Sequence, residues 1–215
     1  MEKLLLGVQA LEFLEAEGLK VLESQLAQDE DAAANTAVRT GFPVALKICS
    51  PDIIHKTETG GIRTHLKNEL EVKEAFRQIV ERFRSENPGK RLDGVMVQKL
   101  GTGFELIVGM KMDSQFGPVL MFGLGGIFAE AVKDVSFRLV PLEAADAREM
   151  IEELRGYEAL RKPRSGKVDI GAVEEFLLRL SGLIERREEI REMDLNPVFV
   201  RESDIRICDA RIRTA

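Results

Sequence analysis

Lys47 closes the apolar run Pro43-Val44-Ala45-Leu46-Lys47, and the chain then passes through His55-Lys56-Thr57-Glu58-Thr59-Gly60-Gly61. Much later come Gly123-Leu124-Gly125-Gly126-Ile127-Phe128-Ala129-Glu130 and Asp194-Leu195-Asn196-Pro197, with Asp209 beyond. Glycines let backbone N–H groups approach phosphates closely, and a lysine on a strand offers a fixed cation. Two carboxylates and an amide are the hard oxygen donors that suit Mg²⁺ held jointly with substrate phosphates. In this order the three groups point to phosphoryl transfer from ATP.

Each group also has a plainer reading. A lysine in an apolar strand either snorkels to an edge or meets an anion, because an unpaired buried charge is costly. The stretch from Ser50 to Ile62 reads as a polar surface loop, or as a flap whose N–H groups at Gly60 and Gly61 close over phosphates. His55 within it is an ordinary loop histidine or a nucleophile toward phosphorus, since neutral imidazole attacks phosphoryl groups readily. Gln98 and Glu105 stand seven positions apart around a strand-to-strand connection. They suit an adenosine, with the hinge backbone and Gln98 at the adenine edge and Glu105 at the ribose hydroxyls; otherwise they flank a glycine hairpin.

Gly123 to Gly126 is a tight turn or the lining of a site. Its spacing is not the dinucleotide fingerprint, and no Walker A sequence occurs. The polar residues that follow, Glu130, Lys133, Asp134 and Arg138, favour a site lining. Asp194 and Asn196 alternate on one face of an extended segment. Asp209 reaches the same point if its strand pairs antiparallel with that segment. A capped hairpin is the other reading.

The elements that must position these groups follow from periodicity. Leu4, Leu5, Val8, Leu11, Phe13 and Leu14 predict an opening amphipathic helix ending near Gly18. Asp29 to Arg39 predicts a second helix, with its acidic residues at the favourable end. Val44 to Cys49 reads as a strand and Leu70 to Phe83 as a helix, followed by a polar loop from Ser85 to Arg91. Strands follow at Val95–Gln98, Glu105–Met110 and Pro118–Gly123. Helices return at Ala144–Leu154 and Val173–Ile190, and strands at Pro197–Val200 and Ile205–Asp209. This alternation predicts an α+β (α/β) protein of two lobes, residues 1–93 and 94–215.

Composition narrows the partners. The 215 residues suffice for a substantial core, and the net charge of −6 argues against nucleic acid or an anionic membrane surface. Cys49 and Cys208 lie in separate apolar segments, which suggests a reducing compartment rather than a disulfide framework. Two cysteines and two histidines without ligand spacing do not make a zinc site. The N-terminal apolar run is interrupted too soon for a signal peptide, and no run reaches membrane-spanning length. A cytoplasmic location is the expectation.

The segments together resemble the ATP-grasp superfamily, in the spacing of Gln98, Leu100, Gly103 and Glu105 and in the lysine strand Pro43–Lys47. More closely, the chain resembles the β subunit of ADP-forming acyl-CoA synthetases. Gly41 to Ile48, Ser50 to Lys56, Gly60-Gly61-Ile62, Asp113 to Pro118, Phe122 to Glu130, Asp134 to Pro141 and Asp194 to Pro197 carry this resemblance. It implies an ATP-grasp fold with nucleotide between two lobes, and interconversion of acyl-CoA, ADP and phosphate with acid, ATP and CoA. It also implies a CoA-binding α subunit whose histidine carries the phosphoryl group.

On this resemblance His55 passes that group to ADP, and Lys47, Gly60 and Gly61 meet phosphates. Gln98, Leu100 and Glu105 hold the adenosine, and Asp194, Asn196 and Asp209 hold Mg²⁺. Lys20 is the candidate for the superfamily's other phosphate lysine. Arg161 to Gly166 departs from the family's Gly-x-Arg-Gly. A nucleotide-sensing module of a protein acetyltransferase is the alternative function. A carboxylate–amine ligase is disfavoured because it gives His55 no role.

Overall fold

The computed structural model describes residues 2–52, 60–126, 134–163 and 167–215. They form two compact units. One comprises Leu22–Leu100 with Leu6–Val8, and the other Met1–Leu5, Gln9–Val21 and Gly101–Ala215. The division falls at residue 100 rather than 93. The reason is that strand β5 (Gly94–Lys99) is a central strand of the first unit's sheet, bonded on both sides.

That sheet has the order β2-β5-β3-β4, with β2 at Ser24–Ala27, β3 at Val44–Cys49 and β4 at Ile62–Leu66. Helices α2 (Glu30–Thr40) and α3 (Glu69–Glu86) belong to the same unit. Asp29 caps α2 by accepting from the Ala32 N–H, and Asn68 caps α3 through the Glu71 N–H, meeting donors that a helix start leaves unpaired. Val44, Leu46, Ile48, Val95 and Val97 pack with Ala33, Ala34 and Ala37 of α2 and with Val72, Ile79 and Phe83 of α3. Strand side chains alternate between faces, so Lys47, Met96 and Gln98 lie on the face away from this core.

The second unit holds a seven-stranded sheet of order β1-β11-β9-β6-β7-β8, with β10 also on β9. Its strands are β1 (Lys3–Leu6), β6 (Phe104–Asp113), β7 (Gly117–Leu124), β8 (Val135–Leu139), β9 (Ile190–Arg201), β10 (Asp204–Ile207) and β11 (Ala210–Thr214). Helices α1 (Val8–Ala16), α4 (Ala144–Glu152), α5 (Tyr157–Arg161) and α6 (Ile170–Arg186) complete it. Leu106, Val108, Met110, Leu120, Phe122, Met193, Leu195 and Val198 are buried, while their neighbours in sequence on the opposite face are more open.

The opening helix of the sequence reading begins late. Leu4 and Leu5 are in β1, and Gly7, at φ 53°, separates that strand from α1. A short apolar run fits either period, and pairing with β11 decides it here. Strands β2, β4, β8 and β11 have no counterpart in the periodicity reading, and β9 begins seven residues before Pro197, at Ile190. All are short, polar or edge segments with weak alternation, apart from β9, which starts directly after the charged run Glu185–Glu189.

Gly94 starts β5 at φ 140°, and a Cβ there would stand 2.7 Å from the Ala27 carbonyl oxygen. Neither the backbone angle nor the space suits another residue. Gly94→Ala is expected to destabilise the fold by about 2 kcal/mol or more. Urea unfolding checks this, and an unchanged midpoint would count against the constraint.

Candidate functional site

In the first unit, Lys47 is 7% exposed and pairs across the ladders with Met96 on one side and Ile62 on the other. Gln98 is 1% exposed and pairs with Ala45 and Ser24. The two polar side chains are therefore diagonal neighbours on one face of a sheet whose other face is apolar core. Leu100 ends the unit directly after β5. Gly61 accepts from the Ile48 N–H at 2.8 Å, and Gly60 accepts from Arg63, which sets both glycines beside the lysine strand. His55 lies outside the described residues, as do Glu130 and Lys133.

The second unit gathers the oxygen donors. Antiparallel pairing sets Leu195 opposite Val108 and Val198 opposite Leu106, so Asn196-Pro197 faces the single residue Ile107. This bulge adds one residue to β9 and redirects the side chains around it. Across the other edge, the Asn196 N–H donates to the Asp209 carbonyl at 3.2 Å, and the Cys208 N–H donates to the Pro197 carbonyl at 3.0 Å. Asp209 thus sits between β10 and β11, opposite the bulge, as the antiparallel expectation requires. Asp194 and Asn196 are exposed and Asp209 is half-buried.

Burial raises the Asp194 carboxyl above the usual carboxylate range. Arg211 opposes the rise, and Asp209 and Glu192 add to it. Asp194 keeps accessible surface, so solvent moderates these effects. Two carboxylates and an amide with reachable oxygens fit a hard divalent cation that also takes phosphate oxygens. Among the described residues no group of three His, Cys, Asp or Glu side chains could hold a metal by itself. An ion on Asp194 and Asp209 would draw on Asn196 and on substrate.

Glu105 lies on β6 opposite Phe199. The Gly125 N–H donates to its carbonyl at 2.8 Å, and a Cβ on Gly126 would be 3.2 Å from its carboxylate. Gly125 and Gly126 therefore pack around Glu105. Gly109 is level with Asp194, and the side chain of Met121 packs over it, with Cε 3.2 Å from where a Cβ would stand.

Other polar residues take structural parts. Asp134 is buried and accepts from the Arg155 and Gly156 N–H groups at 2.9 and 2.7 Å, which ties the residue before β8 to the start of α5. Arg138 binds Glu149 and Glu153. Lys20 pairs with Asp204 at 3.1 Å, both side chains being exposed. Arg161 pairs with Glu158, while residues 164–166 lie outside the described chain. Sequence reasoning did not single out Arg211, although its position two residues after Asp209 on a strand is a usable signal.

A model of the ATP-grasp domain matches residues 1–214. The chain is 43% identical over 206 residues to the acetate–CoA ligase (ADP-forming) I subunit beta of Pyrococcus furiosus, covering 95% of this chain and 89% of that one. This is an ATP-grasp chain of the ADP-forming acyl-CoA ligase family.

A longer member of the family, acetate–CoA ligase (ADP-forming) I of Archaeoglobus fulgidus, is 44% identical over 96% of the ATP-grasp chain, which spans 30% of its length. Among solved structures, an acetyl-coenzyme A synthetase 1 of Ca. Korarchaeum cryptofilum superposes with a TM-score of 0.93 at 43% identity, covering 99% of this chain and 94% of that one. That structure contains coenzyme A and Ca-AMPCP. Another of the same synthetase, with a TM-score of 0.83 at 41% identity over 99% and 93%, holds Mg-AMPPCP, with a phosphohistidine segment pointing towards the nucleotide binding site. Among the described residues of the ATP-grasp chain, no helix is long and apolar enough to cross a membrane.

The raised Asp194 carboxyl gives a pH prediction. A folded-state pKa above the unfolded one favours the protonated acid, so stability is lost as pH rises through the folded value. In metal-free buffer, Asp194→Asn should unfold at a higher urea midpoint than wild type at pH 7. That gain should fade as pH falls toward about 4. A lower midpoint at pH 7 would mean that the attraction of Arg211 outweighs burial.

Proposed function

We propose that this chain is the nucleotide-binding part of an ADP-forming acyl-CoA ligase. The net reaction converts acyl-CoA, ADP and phosphate to the free acid, ATP and CoA. The observation that carries the reading is 43% identity across 95% of the chain to a beta subunit of that activity. The nucleotide is ATP or ADP, and the ion is Mg²⁺. A CoA-binding α subunit, or an equivalent domain, supplies the acyl-phosphate chemistry and delivers the phosphoryl group on a histidine. Only two cysteines, Cys49 and Cys208, in separate apolar segments accord with a cytoplasmic enzyme.

On this reading Gln98 and the backbone at Leu100 meet the adenine, and Glu105 meets the ribose hydroxyls. Lys47 neutralises phosphate charge, aided by the backbone at Gly60 and Gly61. Asp194, Asn196 and Asp209 hold the Mg²⁺, which screens the phosphate oxygens and so lowers the repulsion met by an incoming nucleophile. His55 takes the phosphoryl group and passes it to ADP. The bond from phosphorus to the imidazole nitrogen breaks with its electron pair left on nitrogen, as the terminal oxygen of ADP forms the new bond. The protein's contribution to such a transfer is alignment and charge neutralisation.

Isothermal titration of ADP and ATP with Mg²⁺ tests nucleotide binding. Wild type should bind in a magnesium-dependent manner, and Lys47→Ala should weaken binding by roughly tenfold or more, as loss of a charge-assisted phosphate contact does. Equal affinities would remove Lys47 from the site. Reconstitution with the CoA-binding partner tests catalysis. His55→Ala should abolish ATP formation from acyl-CoA, ADP and phosphate while leaving nucleotide titrations unchanged. ATP formation at the wild-type rate would rule out a phosphohistidine at this position, and a nucleotide-sensing module would then be favoured.

A further inference from the structure

Arg211 stands on β11, two residues beyond Asp209, which lies just before that strand, and its ladder partner on β9 is Asp194. Its Nε is buried and has no hydrogen-bond partner. Arg213, two residues further on, shares that property at Nε, but its terminal nitrogens go to Glu192 at 2.6 Å and Glu2 at 3.6 Å. Arg213 is thereby committed to carboxylates of its own sheet. A guanidinium carries five donors in a fixed planar fork, and the half-buried Arg211 has its terminal nitrogens to offer an anion, whereas those of Arg213 are taken by Glu192 and Glu2.

The ladder registers give the direction of that anion. Glu105 is level with Phe199, the bulge at Asn196-Pro197 is level with Ile107, and Asp194 with Arg211 is level with Gly109. Four residues of extended strand from Glu105 to Gly109 span about 13 Å. A nucleotide with its ribose on Glu105 and its phosphates toward the Asn196 and Asp209 oxygens runs along β6. Its outermost phosphoryl group then comes nearest to Arg211. The α- and β-phosphates lie closer to the bulge.

We propose that Arg211 binds the phosphoryl group in transfer, and so separates nucleoside triphosphate from diphosphate at this site. The inference rests on the function proposed above and deepens it. During the transfer, negative charge spreads over the three oxygens of the moving group as one bond to phosphorus breaks and the other forms. Donors fixed beside those oxygens stabilise this charge without reorganising. Asp194 and Asp209 carry negative charge of their own, so a nearby cation also keeps the terminal phosphoryl from being repelled by its metal ligands.

The test is titration of ATP and of ADP, each with Mg²⁺, into the full chain as wild type, Arg211→Met and Arg211→Lys. Arg211→Met should weaken ATP binding by roughly tenfold or more while ADP binding stays within about twofold. Arg211→Lys should recover part of the ATP affinity, since charge is restored without the planar fork. Should the methionine variant fail to fold, the lysine variant alone must still lose ATP affinity selectively. Equal losses for the two nucleotides, or no loss, would overturn the role of Arg211 and leave the nucleotide site standing. Absence of nucleotide binding by wild type would overturn both.

Discussion

The two-residue period of an extended strand governs this protein. In each unit the described helices belong with one sheet, and the apolar side chains of every second strand position fill the core. The alternate positions are thereby released from packing and can hold charge. Lys47 and Gln98 use that freedom in the small sheet, and Glu105, Asp194 and Arg211 use it in the large one. The hydrophobic residues that stabilise the fold and the polar ones assigned to chemistry are interleaved on the same strands.

One departure from that period makes the oxygen cluster. Without the bulge, Asn196 would follow the alternation of Asp194 without interruption, and the buried series Met193, Leu195 would not pass to Val198 and Val200. The extra residue lets β9 return to register with β6 while Asn196 stays beside Asp209. Burial there raises the Asp194 carboxyl, Arg211 offsets part of the rise, and Asp209 and Glu192 add to it.

Much of this was legible in the residues. Lys47 within an apolar strand, the Asp194-x-Asn196 alternation and the return of Asp209 by antiparallel pairing all follow from strand geometry, and the structure places them as that geometry requires. Helices with capping residues and strong periodicity, such as α3, were equally readable. What escaped was decided by tertiary pairing. Leu4 and Leu5 fit a helix until β11 lies beside them, and β11 itself, with alternating arginines, reads as polar. Gly125 and Gly126 announced a close approach, and their partner, the backbone and carboxylate of Glu105, is twenty residues away. Asp134 supports the start of α5 through two backbone N–H groups, contacts that local pattern does not announce.

The shared register has a consequence for folding fidelity. Gly109 and Asp194 meet across the sheet although eighty-five positions separate them, so β9 docks only after a long stretch of chain has been brought back. A slip of one residue in that docking would turn Asp194 inward and Leu195 outward. Such a molecule would lose its core together with the present placement of Asp194. Misregistered chains therefore betray themselves by instability, and the hydrophobic effect acts as the error check on which side chains the sheet presents to solvent.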